Sequence, residues 1–348
     1  IITLMGAGSL IVASAALYGG SHNLFAYTLP RFGIDPTFFE PRDPQAFAAA
    51  IQDNTRLIFG ETLGNPGLDV LNIPAIADVA HRAGLPLMVD STFTTPYLIK
   101  PFELGADIIQ HSATKFLSGH GIVIGGLLVD SGHFDWESSG KFPTLTEPYE
   151  GFHNLIFTEE FGPTAFIQRA RKEGLRDFGA CMAPTSAFHI LQGIETLPLR
   201  MERHCQNAQI LAEMLVCHPA VEKVFFPGLA TDPWHLIASK QMDSFGGMLA
   251  LELKKGFAGG VQMLNNLKLA KIAVSLGDAE TLVQHPASMT HSTYSLEERQ
   301  RHGITEGLVR ISVGLEDIDD ILWDFQQALA TLVPEATSVP LGYPGKDS

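Results

Sequence analysis

The chain has 348 residues, 45% of them hydrophobic and 18% charged, with a mean hydropathy of +0.13. That is enough apolar material for a large core shared by two domains. Asp and Glu outnumber Lys and Arg by 38 to 23, a formal net charge of -15, which argues against nucleic-acid or anionic-membrane partners. No apolar run reaches the roughly 18 residues of a membrane span, and the opening IITLMGAGSL does not read as a secretory leader. Cys181, Cys205 and Cys217 are far apart and fit neither a disulfide framework nor a zinc pattern, so a cytoplasmic location is expected.

Ile1 to Gly6 reads as the end of a helix, and with Ile rather than Met in first place the sequence is expected to begin inside a domain. Leu10 to Ala13 is a short strand candidate. Leu17-Tyr18-Gly19-Gly20 follows, where two glycines allow a sharp turn that presents the tyrosine ring; a ring packed over an ordinary turn is the plain alternative. Asp43-Pro44 matches an N-cap with Pro at N1, opening a helix to about Ile51. Arg56 to Phe59 is the next strand and runs into Glu61-Thr62-Leu63-Gly64-Asn65-Pro66, whose Asn-Pro pair signals a turn. Ile73 to Ala83 has helical period. Pro86 to Val89 and Ala106 to Ile109 are short apolar runs bounded by Gly and Pro, which favours strands; Ile122 to Val129 adds another. The alternation of strand and helix predicts a parallel sheet covered by helices.

Residues 130–180 are punctuated by Trp, Pro, Gly and acids and read as a long loop. Cys205, Ala208, Ala212 and Leu215 then recur at three- and four-residue steps, the buried stripe of one helix, which makes Cys205 a core residue rather than a nucleophile. The domain boundary is placed in this helix, with a large domain over 1–215 and a small one over 216–348. Strands are expected at Val221 to Phe226, Met248 to Leu253, Ile272 to Ser275 and Leu308 to Val313, and helices at Phe257 to Asn266 and Ile318 to Leu332. In the last helix Ile318, Leu322, Phe325, Leu329 and Leu332 share a face. The tail after Pro334 reads as loose.

Five residues carry chemistry-bearing patterns. Asp90 ends one strand run, and Lys115 follows the next, preceded by Ser112 and Thr114. Taken singly, the acid reads as a turn former and the lysine as a surface charge. Taken together, at strand carboxyl ends where open α/β sheets bind ligands, they suit pyridoxal 5'-phosphate (PLP). A lysine can hold its aldehyde as a Schiff base, an acid can keep a pyridine nitrogen protonated, and hydroxyls can hold a phosphate. Arg310 lies inside the apolar run GLVRISVG, where a charge is costly unless paired. A guanidinium there suits bidentate capture of a carboxylate, with a structural salt bridge as the alternative. The His285…His291 spacing fits no zinc pattern, and no metal is expected. Ser112-x-x-Lys115 also matches the S-x-x-K spacing of penicillin-binding serine hydrolases, but the companion S-D-N and K-T-G triplets are missing from the sequence.

Asp90-Ser91-Thr92, His111-Ser112-Ala113-Thr114-Lys115 and Ser118-Gly119-His120-Gly121 together resemble the signature of the Cys/Met-metabolism family of PLP enzymes. That family comprises γ-synthases, γ-lyases and O-acylhomoserine sulfhydrylases. The resemblance runs from LYGG to RISVG. It implies a fold-type I PLP-dependent transferase, α/β, with a mostly parallel seven-stranded sheet in the large domain, a smaller C-terminal α/β domain, and a homotetrameric assembly. It implies Lys115 as the cofactor-bearing catalytic lysine, Tyr18 stacked on the ring and able to move protons, and Asp90 on the pyridine nitrogen. Ser112 and Thr114 are implied at the phosphate, and Thr92 among the cofactor-binding residues. Asn65 is implied near the phenolic oxygen and the substrate carboxylate, and Arg310 with Ser275 at that carboxylate.

The segment HFDW…GKFP…TEP…FH is similar to the O-acetylhomoserine sulfhydrylase branch, where it lies beside the active-site entrance. The implied reaction joins O-acetyl-L-homoserine and sulfide, or methanethiol, to give homocysteine, or methionine, and acetate. Cystathionine γ-synthase, γ-lyase and methionine γ-lyase activities are the alternatives within the family. Gly20 stands where methionine γ-lyases carry a cysteine, which argues against the last. The family's glycine-containing phosphate loop upstream of LYGG, and the tyrosine and arginine of a neighbouring subunit's arm, have no counterpart before Ile1. A non-catalytic assembly protein of the same fold is therefore the remote alternative.

Overall fold

Short runs rich in apolar and β-branched residues, each ending near a polar residue, lie side by side as parallel strands. In sheet order these are β2 (Asp35–Phe39), β1 (Leu10–Ser14), β3 (Thr55–Glu61), β4 (Leu87–Asp90) and β5 (Ile108–Ser112), and β6 (Gly126–Asp130) closes the edge antiparallel to β5. The computed structural model describes residues 1–40, 44–290 and 303–333, with Ser292, Ser295, Glu297 and Arg299. It resolves into two units: Ile1–Asn65, Asp69–Ala113 and Ile124–His189 form the first, and Pro66–Leu68, Thr114–Val123 and the chain from Ile190 form the second.

The sheet of the first unit has six strands among the described residues, rather than seven. The additional strand β2 escapes the apolar-run pattern because it carries Pro36 and only Phe39 of it is buried. The run at 122–129 becomes strand only from Gly126, and it is exposed. Strand β5 extends further than its apolar run and takes in His111 and Ser112. Ile1 to Gly6 forms turns, not a helix end. A helix spans Pro44–Ala50, while the proposed cap at Asp43 lies outside the described residues, as do His291 and the tail after Pro334. The helix Ile73–Arg82 covers the sheet with Ile73, Ile76, Ala77 and Ala80 buried, and Asn72 caps its N-terminus by accepting the Ala75 N–H.

Residues 130–180 are not a loop. They fold as short helices, among them Trp136–Ser139, Pro143–Thr146, Phe157–Phe161 and Ala165–Arg169. Their aromatic side chains share a core: Trp136, Phe142, Leu145, Phe157 and Phe166 are buried together, and the Trp136 and Phe166 rings stack 5.7 Å apart. Pro and Gly separate helices here instead of marking irregular chain.

In the second unit the helix Leu197–Val216 buries Cys205, Ala208, Ala212 and Leu215, and burial pushes the Cys205 thiol up, consistent with a packing role. A second sheet runs β7 (Val221–Phe225), β8 (Met248–Leu253), β11 (Leu308–Ser312), β10 (Leu282–Gln284) and β9 (Lys271–Ile272). It is antiparallel except for the β9–β10 pair. Strand β9 is shorter than expected and leaves Ser275 in a loop; β10 was too short to register as a run. The last helix, Ile318–Ala330, packs through Ile321, Phe325, Ala328 and Leu329, with Ile318 and Leu322 at the margin of that face. Its Asp324 is fully buried and accepts the backbone N–H groups of Lys268 (2.7 Å), Leu269 (3.0 Å) and Ala270 (2.8 Å). Asp324→Ala would strand those donors and is expected to cost about 3 kcal/mol. The loss should read as a lower urea midpoint at unchanged m-value. Among the described residues no helix is long and apolar enough to cross a membrane.

Candidate active site

Parallel pairing brings the carboxyl ends of β3, β4 and β5 to one edge of the sheet. There Asp90 is the register partner of Glu61 on one side and of Gln110 on the other. The Asp90 side chain is buried. Its Oδ1 accepts the Thr92 backbone N–H at 2.8 Å, closing an Asx turn, and its Oδ2 accepts Gln110 Nε2 at 3.0 Å. Burial raises the carboxyl above the ordinary Asp value, and the Thr92 hydroxyl, the Thr92 backbone N–H and the Gln110 amide oppose the rise. Among the described residues no cation pairs with Asp90.

Thr92 links the two strand ends, its Oγ1 accepting the Ser112 N–H at 2.8 Å. His111 is buried with its proton affinity lowered by burial, and its Nδ1 lies 3.1 Å from the Ser91 carbonyl. A carbonyl only accepts, so Nδ1 carries the proton. Glu61 is buried and accepts the Tyr18 backbone N–H at 2.6 Å. Burial and the Asp90 charge together hold its carboxyl well above the usual range. The Tyr18 ring is 56% exposed, so it is presented and not packed away. It occupies the space beside Gly20, where an added Cβ would come within 2.5 Å of the ring. Asn65 is buried just after β3.

In the second unit Lys115 sits on a tight turn whose Gly119 N–H returns to the Lys115 carbonyl at 2.8 Å, while Ser118 Oγ donates to the Thr114 carbonyl at 3.1 Å. Lys115 Nζ donates to Ser275 Oγ at 3.2 Å. Burial lowers its affinity for a proton, the Arg310 charge lowers it further, and Asp278 works against both. A lysine so placed reaches its neutral, nucleophilic form more readily than a surface one. Arg310 is buried on β11. Its Nη2 donates to the carbonyls of Val274 (3.2 Å) and Ser275 (3.1 Å). With the Gln284 amide turned oxygen-first, that oxygen accepts from Nη1 at 3.2 Å and Nε at 3.1 Å. These oxygens are neutral acceptors that orient the guanidinium.

The Lys115 turn is held from two further directions. Buried Arg200 donates to the carbonyls of Phe116 (2.7 Å) and Gly193 (2.6 Å). Gly277, at φ +77°, approaches so closely that an added Cβ would lie 2.6 Å from the Phe116 nitrogen, a position open only to glycine. Glu61, Gln110, Arg200 and Gln284 were not singled out from sequence. Arg200 had a readable signal: it is a charge on the buried, mainly apolar stripe of the helix Leu197–Val216, which also carries His204 and Asn207. The others depend on register between strands distant in sequence.

Residues 1–330 match the family described as Cys/Met metabolism PLP-dependent enzymes. The chain belongs to this family. It is 46% identical over 342 residues to an O-acetyl-L-homoserine sulfhydrylase of Leptospira meyeri, covering 95% of this chain and 77% of that protein. It is 47% identical over 330 residues to a homocysteine synthase of Schizosaccharomyces pombe, covering 94% and 77%. An L-methionine gamma-lyase of Fusobacterium nucleatum is 44% identical over 329 residues, covering 94% and 75%. A crystal structure from Campylobacter jejuni, described as an O-acetylhomoserine (thiol)-lyase with a pyridoxyl-lysine monophosphate, superposes with a TM-score of 0.91 at 36% identity, covering 94% of this chain and 78% of that one. The fold is therefore that of a fold-type I PLP enzyme.

The residues in each unit fit the cofactor that defines this family. Asp90 is a buried carboxylate held by two neutral N–H donors, and a protonated pyridine nitrogen supplies the positive charge such a group needs. Lys115 offers an amine whose proton affinity is already lowered, as bonding to an aldehyde requires.

Proposed function

We propose that this protein catalyses γ-replacement, converting O-acetyl-L-homoserine and sulfide, or methanethiol, to L-homocysteine, or methionine, and acetate. The observation that carries the reading is Lys115, an amine deprotonated more readily than usual and hydrogen-bonded to the Ser275 hydroxyl, whose own carbonyl helps aim Arg310. The substrate class rests on similarity to the sulfhydrylase and the homocysteine synthase.

PLP, held by Lys115, supplies the electron sink that renders protons at Cα and Cβ removable. Arg310, with Ser275, binds the substrate carboxylate and fixes Cα within reach of Lys115. The Lys115 amine takes and returns protons at Cα and Cβ, and Tyr18, stacked on the cofactor ring, assists. Asp90 keeps the ring nitrogen protonated. Ser112 and Thr114 hold the phosphate, Thr92 orders the Asp90 turn beside them, and Asn65 meets the phenolic oxygen and the substrate carboxylate. The Cγ–O bond breaks with its electron pair leaving on acetate, and the sulfur nucleophile forms the Cγ–S bond and gives up its proton. A cytoplasmic homotetramer is the assembly that goes with this reading.

The same residues serve methionine γ-elimination, and a relative carries that name. Gly20 weighs against it here, because methionine γ-lyases carry a cysteine at that position. The test is to supply the PLP-loaded protein with O-acetyl-L-homoserine and sulfide and to quantify homocysteine and acetate, with methionine alone as the parallel substrate. Equimolar homocysteine and acetate, formed faster than 2-oxobutanoate from methionine, is the expected result. The reverse order would assign the lyase instead, and no turnover of either would leave the non-catalytic assembly.

A further inference from the structure

Two carboxyls end adjacent strands of the parallel sheet. Glu61 and Asp90 are register partners on β3 and β4, are 6% and 8% exposed, and have no cationic partner among the described residues. Like charges this close in a low-dielectric interior do not both persist, so such a pair holds one proton and one negative charge. The N–H donors around it decide where the charge rests. Glu61 receives one, from the Tyr18 backbone to Oε1. Asp90 receives one on each oxygen, from the Thr92 backbone and from the Gln110 amide. The Thr92 donor comes with the turn. The Thr92 hydroxyl adds to that donor, and Gln110 brings a further one from the neighbouring strand.

We infer that Gln110 is a positioning residue for the reaction: its amide, donating to Asp90 Oδ2, keeps the negative charge of the carboxyl pair on Asp90 and leaves the proton on Glu61. The inference rests on the proposed role of Asp90 as partner of the ring nitrogen. Glutamine suits the task because it stabilises the anion without cancelling it; a lysine or arginine would form a salt bridge and compete with the pyridinium for the same carboxylate. Its place follows from the fold, since Gln110 on β5 is the register partner of Asp90 on β4. The directions of the two carboxyls agree. Burial raises both, the Asp90 charge pushes Glu61 further, and the Thr92 bonds together with the Gln110 bond draw Asp90 back.

The test uses holoenzyme loaded with PLP carrying nitrogen-15 in its ring. Gln110→Met keeps the volume and removes the donor; Gln110→Asn keeps the amide but withdraws it by one methylene. In both, the Asp90 carboxylate should become more basic and draw the shared proton off the ring. The expected results are a ring-nitrogen resonance moved toward its unprotonated position, a PLP dissociation constant about tenfold higher, and kcat about tenfold lower with KM for the amino-acid substrate unchanged, the size of one charge-assisted hydrogen bond. Asp90→Asn is the reference and should move the resonance further. If Asp90→Asn moves it and neither Gln110 variant does, the inference about Gln110 fails while the role of Asp90 stands. If Asp90→Asn leaves it unmoved, both fail. A Gln110 variant with a lower Tm and an unmoved resonance shows a structural role only and also overturns the inference.

Discussion

Lys115→Ala is expected to lower turnover of O-acetyl-L-homoserine by about a thousandfold or more, because the same amine holds the cofactor and moves the protons. The fold should be little affected. Lys115 is half-buried, and among the described residues the bond its Nζ gives up is to the Ser275 hydroxyl, which water can replace. The turn itself is held by other groups: the Gly119 N–H, the Ser118 hydroxyl and the Arg200 guanidinium. Lys115→Arg should fare no better, since a guanidinium keeps its proton at any working pH and cannot bond an aldehyde. Borohydride reduction of the loaded wild-type protein, followed by peptide mapping, should fix a pyridoxyl mass on Lys115, and the variants should show none. Retention of turnover by Lys115→Ala, with the mass found on another lysine, would remove Lys115 from the chemistry.

What could be read from sequence was local. An apolar run stopped by Asp90, and a second followed by Ser112, Thr114 and Lys115, give their meaning within a few residues, and in the structure Asp90 and Ser112 end β4 and β5 while Thr114 and Lys115 lie in the turn that follows. What could not be read depends on pairing at a distance. Gln110 meets Asp90 only because β4 and β5 are in one register, and Arg200 finds the Phe116 carbonyl across 84 residues of chain. Strand β2 hides behind Pro36 and an exposed face, and β10 is three residues long. Both are strands by virtue of their neighbours, not of their own pattern. The 130–180 segment misled for the opposite reason. Its Pro and Gly residues read as loop, whereas Trp136, Phe142, Phe157 and Phe166 were the informative residues, a core spread over helices too short to show a period.

Arg310→Leu is expected to raise KM for O-acetyl-L-homoserine by about a hundredfold, the loss of one bidentate charge-assisted contact worth about 3 kcal/mol, while KM for sulfide stays unchanged. The two substrates separate because only the amino acid carries a carboxylate. Stability should fall as well, because Arg310 is 3% exposed on β11 and its loss leaves the Val274 and Ser275 carbonyls and the Gln284 amide without their donor, so the substrate-selective change in KM is the readout that decides. Arg310→Lys should lie between wild type and leucine, since it keeps the charge as a point and loses the planar fork. Initial rates with each substrate varied in turn check this. A purely structural arginine would show the other pattern, with both KM values moved alike.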